Sequence, residues 1–145
     1  MSPLTIRMAR LEDLDAIQDI LEKAELSADG VAENIAHFMM AESEGKFIGT
    51  IGLETYNTTG LLRSAGVLPE YQGQGIGDAL IAHLLEHGRT LGITEVVLLT
   101  TTAAKYFSKK GFTEVPRNSI QGEILTSSQF NGACPSTAVC MRKRL

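Results

Sequence analysis

The chain has 145 residues, 43% of them apolar and 21% charged, with a formal net charge of −4. That length suits one compact domain with a sizeable core, and apolar residues spread along the whole chain argue against disorder. No apolar run approaches the ~18 residues of a membrane span, and Met1–Arg7 lacks the basic and apolar regions of a secretory signal. Two cysteines, Cys134 and Cys140, are too few for a disulfide scaffold and point to structural thiols in a cytoplasmic protein. Residues 1–100 carry 15 acidic and 6 basic side chains, whereas residues 101–145 carry 7 basic and 2 acidic. This acidic balance speaks against general nucleic-acid binding, while the basic end could hold a small polyanion or simply be a solvated face.

In chain order, Leu4–Met8 alternates as a first strand. Leu11, Leu14, Ile17, Leu21 and Ala24 draw one helical stripe, with Glu12, Asp13 and Asp15 in the first turn where the dipole favours negative charge. A break at Ser27–Gly30 precedes a weak helical segment near Ala32–Ile35 and a strand at Phe38–Ala41. Turn signals at Glu44–Lys46 and Asn57–Gly60 separate Phe47–Tyr56 from Leu61–Leu68, which predicts an antiparallel meander closed by Pro69. A helix is predicted from Gly75 to Gly92, with Ile76, Leu80, Ile81, Leu84, Leu85 and Leu91 on its apolar side. Val96–Leu99 reads as a strand buried on both faces, Ala103–Lys110 as a short helix, and Phe112–Val115 as a strand. Arg117–Pro135 has no legible pattern, and Thr137–Met141 closes the chain as a strand. The order is mixed α/β around a central sheet, antiparallel early and parallel near Val96.

The chemistry sits in Val67–Leu80, where a strand stops at Pro69 and a loop with Gly73, Gly75 and Gly77 opens into a helix. Glycines let backbone approach a ligand, and the first helical amides lack internal acceptors, so such a loop suits phosphate oxygens. A tight turn that binds nothing is the plain alternative. The nucleoside-triphosphate loop is excluded because Asp78 and Ala79 follow Gly77, and the dinucleotide fingerprint because Asp78 replaces its third glycine.

The pattern [QR]-x-x-G-x-[GA] is filled by Gln72, Gly75 and Gly77 after Val67-Leu68-Pro69. This resembles the acetyl-CoA-binding motif of the GNAT superfamily of N-acetyltransferases, and the order of elements through Phe112 is similar. The resemblance implies a GNAT-like acyl-CoA N-acyltransferase fold over residues 1–145, with helices on both faces of the sheet. It also implies that the loop Gln72, Gly73, Gln74, Gly75, Ile76 and Gly77 holds the pyrophosphate of coenzyme A, with Val67 and Leu68 along the pantetheine arm. Asp78 would then have to face away from the phosphates. Many members carry a thiolate-protonating tyrosine where this chain has Phe107, with Tyr106 one place earlier and turned by ~100° on a helix. Leu99-Thr100-Thr101 with Tyr106-Phe107 before Gly111-Phe112 is similar to the acetyltransferase domain of N-acetylglutamate synthases, and looks closer still to N-acetyltransferases of arsenic-resistance operons, a likeness that also includes Gly52-Leu53-Glu54, Leu61–Ser64 and Cys134–Met141.

The implied reaction moves an acetyl group from acetyl-CoA, as co-substrate, to a small-molecule amine such as an amino acid, by direct attack in a ternary complex. No nucleophile–histidine spacing suggests an acyl-enzyme. Candidate groups are the Val67 or Leu68 amide as oxyanion donor, Glu54 as general base or a solvent-facing strand residue, Arg63 as carboxylate fork or surface ion pair, and Tyr106 as acid. His83 and His87, four apart, could share a metal but read better as exposed helix residues, and His37 as structural, so no metal is expected. A homodimer is compatible with the sequence. Competing readings are a coenzyme A-binding regulator without chemistry, and acetylation of a protein amine.

Overall fold

The computed structural model describes residues 4–145. Among these residues seven strands form one sheet in the order β1-β2-β3-β4-β5-β7-β6. They are β1 (Thr5–Met8), β2 (Phe38–Ser43), β3 (Lys46–Tyr56), β4 (Thr59–Val67), β5 (Glu95–Thr100), β6 (Thr113–Glu114) and β7 (Val139–Arg144). Neighbours pair antiparallel except β4 and β5, which run parallel. The expected mixed sheet, antiparallel early and parallel at Val96, is therefore the one observed.

Helices cover both faces. α1 (Leu14–Lys23) and α2 (Ile76–Thr90) lie on opposite sides. A Cβ on Gly49 of β3 would meet Ile76 and Leu80 of α2, whereas one on Gly66, across from Thr50, would meet Ile20 and Ala24 of the α1 region. The third helix, α3 (Ala104–Lys109), packs Phe107 edge-on against Phe112 in the main core. Gly92 ends α2 with φ +83°, as its position after the apolar stripe requires.

Two apolar assignments fail at helix ends. Leu11 is 71% exposed because a single 3₁₀ turn, Leu11–Asp13, precedes α1 and rotates it off the stripe. That turn is set by Asp13, which accepts from Arg7 Nη1 at 2.9 Å and from the Arg10 N–H at 2.8 Å. Leu91 is 42% exposed because it follows the last residue of α2. The segment left unread, residues 117–135, forms three short helical turns whose Ile120 and Ile124 pack with Leu61, Val97 and Cys140. They cover the sheet on the face opposite α2, so β5 is buried on both sides.

The regular pairing of the sheet breaks twice, between β2 and β3 at Ala41–Glu42 and between β3 and β4. Between Thr50–Gly66 and Gly52–Arg63 the β3–β4 register slips by one residue, placing an extra residue in β4. Ser64 takes φ +58° there, the left-handed turn of a β-bulge. Just before it, β4 leaves β5: their parallel pairing covers only Thr59–Leu61 against Glu95–Val97. β5 continues to Thr100 and β4 to Val67 with a gap between them.

A buried ion pair sits beside the bulge. Arg63 Nη1 lies 2.7 Å from Glu54 Oε2, with side-chain exposures of 0% and 2%. Arg63 Nε donates to Ser64 Oγ at 3.0 Å, Nη2 approaches the Ser27 carbonyl at 3.5 Å, and the Tyr56 hydroxyl donates to Glu54 Oε1. Burial, then Glu54, pushes the Tyr56 phenol up to about 12, so it remains a donor at neutral pH. Neither charge is the solvent-facing or surface residue that the sequence allowed. Removing one partner leaves the other charge desolvated, so Arg63→Met and Glu54→Leu should each lower unfolding free energy by ~3–5 kcal/mol. The double variant should lose less than either single one, as read by urea unfolding.

Candidate functional site

Val67 ends β4, and Pro69–Tyr71 makes a short turn that delivers the chain to the glycine loop. Gly73 and Gly75 both have φ +81°, a conformation that a Cβ resists, and Gly75 caps α2. The first main-chain bond into α2 runs from Ala79 N–H to the Gly75 carbonyl at 3.1 Å. The amides of Ile76, Gly77 and Asp78 thus precede the helical ladder, where unpaired donors and the helix dipole attract an anion. Gly77 has a second reason to lack a side chain: its Cβ would sit 3.1 Å from the Tyr106 hydroxyl.

This loop lines a cavity of about 600 Å³ on the α2 face of the sheet, bounded by Ile51, Val67, Gln72, Gly73, Gly75, Ile76, Gly77, Tyr106 and Phe107. A second cavity of about 280 Å³ is lined by Ser27, Arg63, Ser64, Gln129 and Cys134, among others. The two share Ala65, Val67, Gln72, Thr102, Ala103 and Phe107, so the gap between β4 and β5 joins them through the sheet. A long ligand gripped at the loop can reach through that gap towards a smaller molecule on the other side.

The main chain at the gap sorts the candidate donors. Leu68 N–H bonds to the Ile48 carbonyl at 2.8 Å, so it is not the free oxyanion donor that its place in the sequence suggests. Antiparallel bonding alternates, and Gly49 opposite Val67 is therefore a non-bonded pair whose N–H groups point outward. Val67 N–H faces the gap. Its carbonyl accepts from Gln72 Nε2 at 3.0 Å, so Gln72 ties the loop to the strand end.

Of the residues selected from sequence, Leu68 and Gln74 line neither cavity, and neither does Glu54. Glu54, enclosed by Arg63 and Tyr56, is poorly placed to take a proton from a ligand in either one. Arg63 borders the smaller cavity with its guanidinium already engaged by Glu54, Ser64 and Ser27. Tyr106 lies at the glycine loop, donating to Asp78 Oδ1 at 2.6 Å, and lines the larger cavity rather than the one that Arg63 borders. Burial, then Asp78, raises its phenol well above the usual range. Asp78 does not face away: it lines the larger cavity, its charge met by Tyr106 and by Lys110 Nζ at 2.8 Å.

Sequence reading missed Ala65, Thr102 and Ala103 in the shared wall, and Gln129 in the smaller cavity. Their signal was tertiary, since the bulge and the unread 117–135 segment bring them in. Cys134 donates to Gln129 Oε1 at 3.0 Å, and burial pushes its thiol up. His87 pairs with His37, Nε2 to Nδ1 at 3.1 Å, rather than with His83, which lies 2.9 Å from the Ala79 carbonyl. Among the described residues no three potential ligands gather around a metal position, and no helix is long and apolar enough to cross a membrane.

Residues 34–114 match the family described as acetyltransferase (GNAT) domain. An amino-acid acetyltransferase of Mycobacterium tuberculosis is 30% identical over 141 residues, covering 90% of this chain and 78% of that protein. An amino-acid acetyltransferase of Ralstonia nicotianae is 31% identical over 118 residues, covering 74% of this chain but 26% of its own length. The chain thus spans about a quarter of that longer relative. The N-acetylglutamate synthase of Neisseria gonorrhoeae, solved with coenzyme A and N-acetyl-glutamate, superposes with a TM-score of 0.85 at 23% identity. That match covers 100% of this chain and 36% of the synthase, and speaks for the fold alone. With the glycine loop, the parted strands and the family match in register, the chain belongs to the GNAT acetyltransferase family.

Proposed function

We propose that this chain, acting as a single N-acetyltransferase domain, transfers acetyl from acetyl-CoA to the amine of a small amino-acid-like molecule. The observation that carries the reading is the pair of cavities joined through the β4–β5 gap, with an anion-seeking loop at the outer end of the larger one. The names of the curated relatives, amino-acid acetyltransferases, support the acceptor class. The synthase complex supports the cofactor.

The diphosphate rests on the amides between Gly73 and Asp78, and the pantetheine arm runs along Val67. The Val67 N–H polarises the thioester carbonyl, strengthening as the oxyanion forms. The acceptor ammonium gives its proton to solvent, and the amine attacks the carbonyl. The C–N bond forms, the nitrogen's second proton passes to solvent, the C–S bond breaks, and the thiolate takes a proton from solvent because Phe107 has none to give. A thiol with pKa near 8.5 leaves without strong assistance. Glu54 serves as a positioning residue that holds Arg63, and Arg63 shapes the acceptor cavity. The likeness to arsenic-resistance-operon enzymes, a cytoplasmic location and a homodimer belong to the same proposal, and no step depends on them.

The test is thiol release from acetyl-CoA with a panel of amino acids, beside calorimetric titration with coenzyme A. Release with an amino acid is expected; the absence of both release and binding overturns the proposal. Binding without turnover would favour a regulator, the reading that Phe107 in place of tyrosine supports. Gly75→Val forces a side chain into a φ of +81° and should weaken coenzyme A binding about tenfold or more. Tyr106→Phe should change kcat by less than about threefold, whereas a proton donor to the thiolate would cost far more.

A further inference from the structure

Among the described residues Asp78 is the one carboxylate in the lining of the larger cavity, and it stands in the first turn of the helix whose amides invite an anion. A carboxylate at that third helical position ordinarily turns back to cap its own helix. Here it turns across to α3. Its Oδ1 accepts from the Tyr106 hydroxyl at 2.6 Å and meets Lys110 Nζ at 2.8 Å, while Lys110 also stands over the Tyr106 ring at 5.5 Å. The carboxylate thus does not cap its own helix, and the cation nearest it, Lys110, is held by a protein group. Lys110 first, then Tyr106, keeps the Asp78 carboxyl below its usual range, so the negative charge is present at neutral pH.

We propose that Asp78 is an affinity-limiting residue of the phosphate site: it opposes the ligand's phosphates and occupies Lys110, which transfers to a ligand phosphate on binding. This rests on the proposed cofactor and extends it to a residue that the transfer reaction does not use. No bond is made or broken; one ammonium exchanges a carboxylate for a phosphate. The arrangement moderates the grip on the spent carrier, which shares its phosphates with the acetylated form, and so favours its release. Asp78 has a half-exposed side chain, and its substitution leaves the core intact.

The experiment is calorimetric titration of the whole chain with coenzyme A and with phosphate-free pantetheine, for the wild type, Asp78→Asn and Lys110→Gln. Asp78→Asn should bind coenzyme A about tenfold more tightly, with pantetheine unchanged. Lys110→Gln should weaken coenzyme A binding and flatten its salt dependence. Asp78→Ser should behave as Asp78→Asn, which separates charge from the lost hydrogen bond. A wild type that does not bind coenzyme A overturns the cofactor assignment. A wild type that binds, with Asp78→Asn equal or weaker, overturns the role of Asp78 alone. An equal gain for pantetheine overturns it too, because the effect would not then be on phosphate.

Discussion

The site depends on one extra residue in β4. A regular ladder would carry β4 beside β5 for its full length and close the sheet. That pairing stops after three residues, just ahead of the left-handed Ser64, and the parted strands separate at the lining that two cavities share. The same departure leaves Val67 N–H without a strand partner. A sheet interior normally tolerates no such unpaired donor. Here the donor lies in the lining that the two cavities share.

The glycine loop depends on that gap in turn. Gln72 holds the Val67 carbonyl, so the last residue of β4 is tied to the start of the glycine loop. Gly73 and Gly75 supply the two left-handed residues that fold the loop back over the cavity. Gly77 does something different, making room for the Tyr106 phenol. Three glycines in one motif therefore answer two constraints, conformation and close packing, which their even spacing in the chain conceals.

Much of the fold was legible because its signals are local. The stripe of Ile76, Leu80, Ile81, Leu84 and Leu85 drew α2, and the turns at Glu44–Lys46 and Asn57–Gly60 drew the meander. The bulge was not legible: no glycine or proline marks Ser64, and the slip exists only as a mismatch between two strands. The 117–135 segment lacked any stripe because its order comes from side chains bonding nearby carbonyls, such as Ser119 to Pro116 and Thr126 to Glu123, with isolated apolar anchors. The burial of Glu54 and Arg63, each read as a candidate site residue or a solvent-facing charge, was not legible either. Alternation sets the face on which a charge lies, but not that a distant loop will cover that face.

The two cavities meet at a gap and lie on opposite sides of the sheet, so their occupants need not use a common doorway. Neither molecule has to vacate for the other to depart. Such an architecture imposes no obligatory sequence of departures.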